Sequence, residues 1–270
     1  MIMRHAGRAL VYLALSLVAF VSILPFYWMI VGSTNTSTDV ILGKWTFGGN
    51  LWANIVFLFS TFNIPRVLLN TAGIAIVGTA LTLIVSSMAG YGFEMFRTRF
   101  KERIFALYLL MLSVPFSAVM IPLFIMMSRA GLLNTFAAVV LPAIASIFIV
   151  FYFRQATKAF PHELRDAARI DGLNEWQIFV YVYVPVMRST YAAATVIVFM
   201  THWNNFLWPL IVLQSEDNKV MTLVVSTLRS GYTPNFGAVM VATIMATLPT
   251  LLIFFILQRR FVEGMLGSVK

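Results

Sequence analysis

Residues 67–93 read VLLNTAGIAIVGTALTLIVSSMAGYGF, 27 positions without a charged side chain between Arg66 and Glu94. A bilayer's hydrocarbon core, about 30 Å thick, is crossed by roughly 20 apolar helical residues, so this run is long enough to span it. Five more charge-free runs meet the same requirement. They lie between Arg8 and Asp39, Arg103 and Arg129, Arg129 and Arg154, Arg188 and Glu216, and Arg229 and Arg259, with 30, 25, 24, 27 and 29 residues. The sequence therefore predicts an all-α polytopic membrane protein, one transmembrane domain over 1–270 with spans near 9–31, 67–93, 104–128, 136–153, 189–213 and 237–258. A seventh gap, Lys44 to Arg66, has 21 uncharged residues but holds Gly48, Gly49, Asn50, Asn54 and Asn63. It reads as a lipid-surface or folded loop.

Composition agrees with this reading. Of 270 residues 60% are hydrophobic and 11% charged, where a soluble domain carries about 25% charged residues. Basic residues gather on the cytoplasmic side of membrane proteins. With the N-terminus inside, 14 of the 19 Lys and Arg fall in inner segments and 5 in outer ones, which predicts that both termini are cytoplasmic. This asymmetry accounts for the net charge of +9 without any nucleic-acid partner. Arg4 and Arg8 precede an apolar run, as in a signal peptide, but Ala9 to Val31 is 23 residues long with no clear small-residue cleavage site after it. Signal-peptide apolar regions run about 7–15 residues, so the first span is expected to stay in the mature chain.

The spans contain no Asp, Glu, Lys or Arg, and His202 is the one ionisable side chain well inside them. Ion-coupled carriers place such groups near the midplane to bind and release the driving ion. No metalloprotease helix, phosphate-cradling glycine loop or serine elbow is present, and zero cysteines exclude thiol catalysis and iron–sulfur ligation. No catalytic, cofactor or metal-binding residue is predicted, so uphill transport would need energy from another subunit. Pro25, Pro115, Pro122, Pro142, Pro209 and Pro249 mark bends, because proline deletes a helical hydrogen bond. Ala238, Ala242 and Ala246 form a small-residue stripe suited to close helix packing.

The longest inner loop, 154–188, carries the most specific pattern. Pro161 is placed to open a helix and Gly172 to close it in the left-handed conformation. Asn174 and Gln177 then have capping-box spacing for a second short helix. On the first helix Leu164, Ala167, Ala168 and Asp171 fall at helical spacing on one face, thinned by the two alanines, with Glu163, Asp166 and Arg169 at its edges. Spacing alone fits a self-contained loop helix and a docking knob equally.

This segment resembles the coupling motif of permease subunits in bacterial binding-protein-dependent ABC importers, roughly Glu-Ala-Ala, three residues, Gly, then a Leu/Ile-Pro pair. Asp166-Ala167-Ala168, Gly172 and Val184-Pro185 occupy its positions, with aspartate for the motif glutamate and valine for leucine or isoleucine. Nearly the whole chain is similar to the six-span, maltose-permease-like sugar branch. The matching pieces are Asn70-Thr71, Ala89 to Phe93, Pro115 and Pro122, Gly131 to Thr135, Trp203 to Pro209, Gln258 to Gly264, and Ser268 to Lys270.

The resemblance implies a subunit of the bacterial inner membrane that works with a second permease, commonly a different chain, and with two ATP-binding cassette subunits. An extracytoplasmic sugar-binding protein delivers the sugar. ATP and Mg would be bound by the ATPase partners, and this chain, within the lipid bilayer, would be non-catalytic. The helix 161–172 would seat in an ATPase cleft through Glu163, Leu164, Asp166, Ala167, Ala168, Asp171 and Gly172. His202, Trp203, Asn204 and Asn205 are candidates for a substrate cavity, because sugar sites pair amides with aromatic rings; packing roles for them are equally open. The tail 258–270 would reach the ATPases or fray. The alternatives are the same machinery carrying sn-glycerol-3-phosphate or an oligosaccharide acid, a stand-alone secondary carrier, and a membrane enzyme.

Overall fold

The computed structural model describes residues 2–230 and 234–266, in which every regular element is a helix. In chain order they are α1 (Ile2–Ser33), α2 (Ser37–Ile41), α3 (Leu51–Thr61), α4 (Ile64–Met95) and α5 (Arg99–Leu110). Then follow α6 (Phe116–Arg129), α7 (Phe136–Val140), α8 (Ile147–Thr157), α9 (His162–Ile170) and α10 (Glu175–Ile178). The last are α11 (Val184–Val186), α12 (Arg188–Trp203), α13 (Leu207–Val212), α14 (Met221–Ser230) and α15 (Phe236–Leu266). Four stretches are long and apolar enough to cross a membrane, Val11–Ser33, Ile64–Met95, Arg188–Val212 and Phe236–Gln258. Counting each of two bent pairs as one span gives six among the described residues.

Both bent pairs break near a proline. Arg99–Ser113 and Phe116–Arg129 meet at 102°. Val114 there is extended, with φ −84° and ψ 116°, as the residue before a proline must be to avoid the ring. Phe136–Ala143 and Ile147–Thr157 meet at 42°, just after Pro142. Pro25, Pro122 and Pro249 stay within α1, α6 and α15.

The chain divides into two compact units. The first holds residues 1–65 and 221–248. In it the apolar side chains of α1 over 11–23 are exposed almost all round, as suits a helix whose surroundings are apolar. The Lys44–Arg66 gap is a folded loop built around α3, and one of its polar residues explains why. Asn54 is buried and donates to the carbonyls of Ser33 and Asn35 at 2.9 Å each, closing the end of α1. Asn35 donates in turn to Val31 O and Thr46 O, also at 2.9 Å. Ala238 and Ala242 of the small-residue stripe are buried.

The second unit holds residues 66–220 and 249–270. Two glycines of α4 set its packing. Gly78 lies against the His202 ring, and Gly90 against the backbone of α8. At one end, Asn134 adopts φ 59° and its Oδ1 accepts from Gln214 N and Ser215 N at 3.1 Å and from Ser215 Oγ at 3.0 Å. Asn70 donates to Asp217 O and Lys219 O of the same turn. Asn70 and Asn134, widely separated in sequence, thus fix one loop, 213–219.

A Cβ on Gly90 would lie 2.7 Å from Phe153 Cβ and 2.8 Å from Arg154 N. Gly90→Ala is expected to force α4 and α8 apart at a cost of about 1–3 kcal/mol, the usual penalty for overpacking. Gly92→Ala, with nothing within 4 Å of its Cβ, should change little. Thermal unfolding of the two variants in detergent checks the contrast.

Candidate functional site

The segment 161–187 folds as a helical elbow. Pro161, at φ −64° and ψ 119°, caps α9 without needing its own N–H. The helix closes when Leu173 N donates to Ala168 O and Gly172 N to Arg169 O, with Gly172 at φ +86°. This is the paired bond pattern of a glycine-terminated helix. The capping box then forms as the spacing predicts: Gln177 N donates to Asn174 Oδ1 and Asn174 N to Gln177 Oε1, each at 2.9 Å. A π-helical turn, Phe179–Tyr183, leads through α11 into α12.

One carboxylate welds the two arms. Glu175 Oε2 accepts from Arg165 Nη2 at 3.1 Å, and Oε1 from Arg169 Nε at 2.7 Å and from Arg169 Nη2. Burial acts to raise the Glu175 pKa, but the hydrogen bonds from Arg169 and Arg165 and their charge outweigh it and hold the carboxyl below its ordinary range. The Arg165 guanidinium also sits 4.8 Å over the Phe96 ring, a cation–π contact to the segment that follows α4. Beneath it Tyr91, Phe160, Phe179 and Tyr183 make a buried aromatic cluster. The Tyr183 and Thr157 hydroxyls are 2.6 Å apart, and burial pushes the Tyr183 phenol up.

The seven residues expected on the docking surface divide. Glu163, Leu164, Asp166, Ala167, Asp171 and Gly172 are exposed. Ala168 is only 6% exposed and turns inward with Arg165, so it does not share an outward face with Leu164, Ala167 and Asp171. The outward apolar positions are Leu164, Ala167 and Ile170, the last 87% exposed. Arg169, expected at the edge, has its guanidinium engaged by Glu175. Sequence spacing gives the helical face but not which side the body of the protein covers.

A second ion cluster lies at the ends of α4, α5 and α8. Arg154, buried, donates to Glu94 Oε2 at 3.2 Å and to Glu102 Oε1, and its guanidinium lies 4.0 Å over Phe105. Arg97 reaches Glu94 at 3.1 Å. These charges read in the sequence only as boundaries of apolar runs, and nothing in their spacing revealed the cluster.

The four cavity candidates also divide. His202 and Asn205 line a cavity of about 420 Å³ with Thr82, Ser146, Phe148 and Thr201. His202 Nε2 is 3.3 Å from Thr82 Oγ1. Trp203 is buried and stacked on Phe199, 5.5 Å between ring centroids. Asn204 is exposed and donates to Met200 O, closing α12. Thr82, Ser146 and Thr201 were missed; their only signal was a hydroxyl inside an apolar run.

A helical membrane protein with interrupted spans, an uncharged cavity among them and a rigid helical knob has the architecture of a transport subunit. The chain belongs to the family described as the binding-protein-dependent transport system inner membrane component, whose model matches residues 82–267. It is 65% identical over 259 residues to the lactose transport system permease protein of Rhizobium radiobacter, covering 96% of this chain and 95% of that one. An arabinooligosaccharides transport system permease protein of Bacillus subtilis is 32% identical, covering 99% of both chains. An sn-glycerol-3-phosphate transport system permease protein of Agrobacterium fabrum is 28% identical over 99% of both. The fold matches a chain in the crystal structure of a bacterial ABC transporter that imports alginate, with TM-score 0.83, 18% identity, and 95% and 97% of the two chains covered. The chain is thus an inner-membrane transport component, a permease subunit that works with partner subunits. The C-terminal similarity over Ser268 to Lys270 lies outside the described residues.

Because the Glu175 pKa is depressed in the fold, its contribution to the elbow is complete above the ordinary glutamate value of 4.5 and is lost as pH falls below it. Limited proteolysis across 161–178 should therefore accelerate as pH drops under that value. Glu175→Gln should show the fast rate at neutral pH and little further change on acidification.

Proposed function

We propose that this chain is one of two permease subunits of an ATP-driven importer for a neutral disaccharide or short oligosaccharide. The observation that carries the reading is the outward face of α9, an exposed apolar ridge on a base held by ion pairs, in a family whose members need a partner to energise them. The sugar cargo is supported by the 65% likeness to a lactose permease across nearly the full length.

In this reading both termini and the 154–188 loop are cytoplasmic. Two ATPase subunits bind ATP and Mg, and the chain itself performs no chemistry. Leu164, Ala167 and Ile170 enter the ATPase cleft, while Glu163, Asp166 and Asp171 make charge-assisted contacts at its rim. Gly172 ends the knob so that it stays short. Closure of the ATPases around ATP pushes α9, and the push reaches α4 through Arg165 on Phe96 and α12 through the π turn. This is rigid-body switching between two states. A different companion permease and a sugar-loaded binding protein on the outer side complete the machine.

A phosphorylated cargo is the second reading, since a 28% identical relative carries that name. The uncharged lining of the cavity argues against it. A solitary secondary carrier would need carboxylates or similar ion-binding groups within the spans; the buried Glu94 is paired with Arg154 and Arg97, which leaves His202 as the one ionisable side chain in the cavity.

The test places single cysteines at Ala167, Ala168 and Ile170 of the assembled transporter and cross-links from the cytoplasmic side. The expected result is capture of an ATP-binding subunit from positions 167 and 170, and far less from the inward position 168. Labelling of 167 and 170 only from outside would sink the topology, and no capture in a working transporter would sink the coupling role. Gly172→Asp is expected to abolish sugar uptake at normal membrane levels, because an L-residue at φ +86° is strained by about 1–2 kcal/mol and distorts the knob. Normal uptake by that variant would remove α9 from the mechanism.

A further inference from the structure

The cavity beside His202 lies where two helices lose their regular hydrogen bonds. The first break, between α7 and α8, leaves residues 144–146 outside any helix. Non-helical backbone at membrane depth is tolerated where it is buried in protein or lines a cavity. Here the freed carbonyls are met from the side: Thr82 Oγ1 donates to Ala143 O at 3.4 Å and Tyr108 OH to Ala145 O at 2.9 Å. The second break, 204–206, separates α12 from α13 and contains Asn205. Ser146 from one break and Asn205 from the other line the same cavity. Thr82 stands 18 residues into α4 and 13 before its end, about 27 and 20 Å along the axis. The site is therefore deep within a span and far from either helix end.

Its lining has a definite chemistry. Thr82, Ser146, Thr201, His202 and Asn205 offer neutral donors and acceptors, Phe148 offers a half-exposed aromatic face, and no lining residue is charged. A hydroxyl that donates to a backbone carbonyl, as Thr201 does to Ile197 O at 2.8 Å, keeps lone pairs with which to accept. A phosphate or carboxylate brought here would lose its water without gaining a cation, which is costly. A sugar meets both halves of the wall, since its hydroxyls match the polar side chains and its C–H face matches the ring. The volume, about 420 Å³, is within the range of small-molecule sites.

We infer that the cavity between the two helix interruptions is a cargo subsite of this subunit, in which Phe148 is the sugar-stacking ring and Ser146, Thr201, His202 and Asn205 select an uncharged glycoside. Trp203, the aromatic residue among the sequence candidates, is buried against Phe199 and Ala75 and does not line this cavity. The inference rests on the importer function proposed for the chain and adds that this subunit itself contacts the cargo.

The native chain has no cysteine, so Thr201→Cys supplies a single thiol in this subunit. In the complete transporter, reconstituted in liposomes with its binding protein and trapped with vanadate, labelling of that thiol by a small maleimide is followed by mass spectrometry. Lactose is expected to slow labelling at least fivefold relative to the same trapped state without sugar, and sn-glycerol-3-phosphate at equal concentration to leave it unchanged. Equal labelling with and without lactose would overturn the site. Protection by the phosphate ester alone would overturn its neutral character. Independently, Phe148→Ala should cut lactose uptake per assembled transporter about tenfold and Phe148→Tyr should restore it. Full uptake by Phe148→Ala would remove the stacking role. If wild-type uptake required neither ATP nor the binding protein, the importer function would fail, while lactose protection of the thiol would still uphold the subsite.

Discussion

A backbone hydrogen bond broken inside hydrocarbon has no water to replace it, and this constraint accounts for several buried polar residues of the chain. Asn35 and Asn54 are buried because the end of α1 leaves carbonyls that their amides must meet. Trp208 Nε1 donates at 2.8 Å to Ala138 O, whose helical partner four residues on would be Pro142, which has no N–H. Thr82 and Tyr108 answer the carbonyls released after Pro142. Other hydroxyls in the apolar runs, Thr71, Thr195, Thr201 and Thr243 among them, instead donate to the carbonyl four residues back within their own helix.

Charge obeys a harsher form of the same rule, because an ion in a dry interior must be paired and hydrogen-bonded on all sides. Arg154 meets Glu94, Glu102 and the Phe105 face at once. Arg165 divides its guanidinium between Glu175 and the Phe96 ring. In both clusters arginine is the residue that can do this, since its planar fork bonds along its edges and stacks through its faces. The two clusters flank the end of α4, one through Glu94 and the other through Phe96. The 161–187 elbow meets the end of α4 through Arg165 on the Phe96 ring and through Tyr91 against Phe179 and Tyr183.

Much of this was legible in the sequence. Charge-free runs marked the apolar helices, four of them long enough to cross a membrane and six if each bent pair is one span, and Pro161, Gly172 and the Asn174–Gln177 pair marked the caps of the elbow, because capping is a local reaction of neighbouring atoms. Features set by long-range packing were not legible. Helical spacing placed Leu164, Ala167, Ala168 and Asp171 together, yet the body of the protein covers Ala168 and leaves Ile170 outside. Trp203, one of the cavity candidates, is buried and stacked on Phe199, whereas Phe148, one apolar residue among many, lines the cavity because the chain unwinds beside it. Pro115 marked a bend in its run, but the size of that bend, 102°, was not legible in the sequence.

The coupling role proposed for α9 would set two requirements that oppose each other. Its tip must be free to engage a partner, and its base must not yield when the partner moves. In α9 the division runs along one helix. Arg165 and Ala168 face inward, while Leu164, Ala167 and Ile170 are left outward. Glu175 closes the base by holding Arg165 and Arg169 together, two positions one turn apart, so ion pairs tie α9 to α10. Two adjacent alanines suit both sides: Ala168 lets the helix sit close on the protein, and Ala167 keeps the outer surface thin. Aspartate at 166, shorter than the glutamate common to the motif, stays on the outward edge and takes no part in the base. The departure from the family pattern thus falls on the outward side of the helix, away from the ion pairs that Glu175 makes with Arg165 and Arg169.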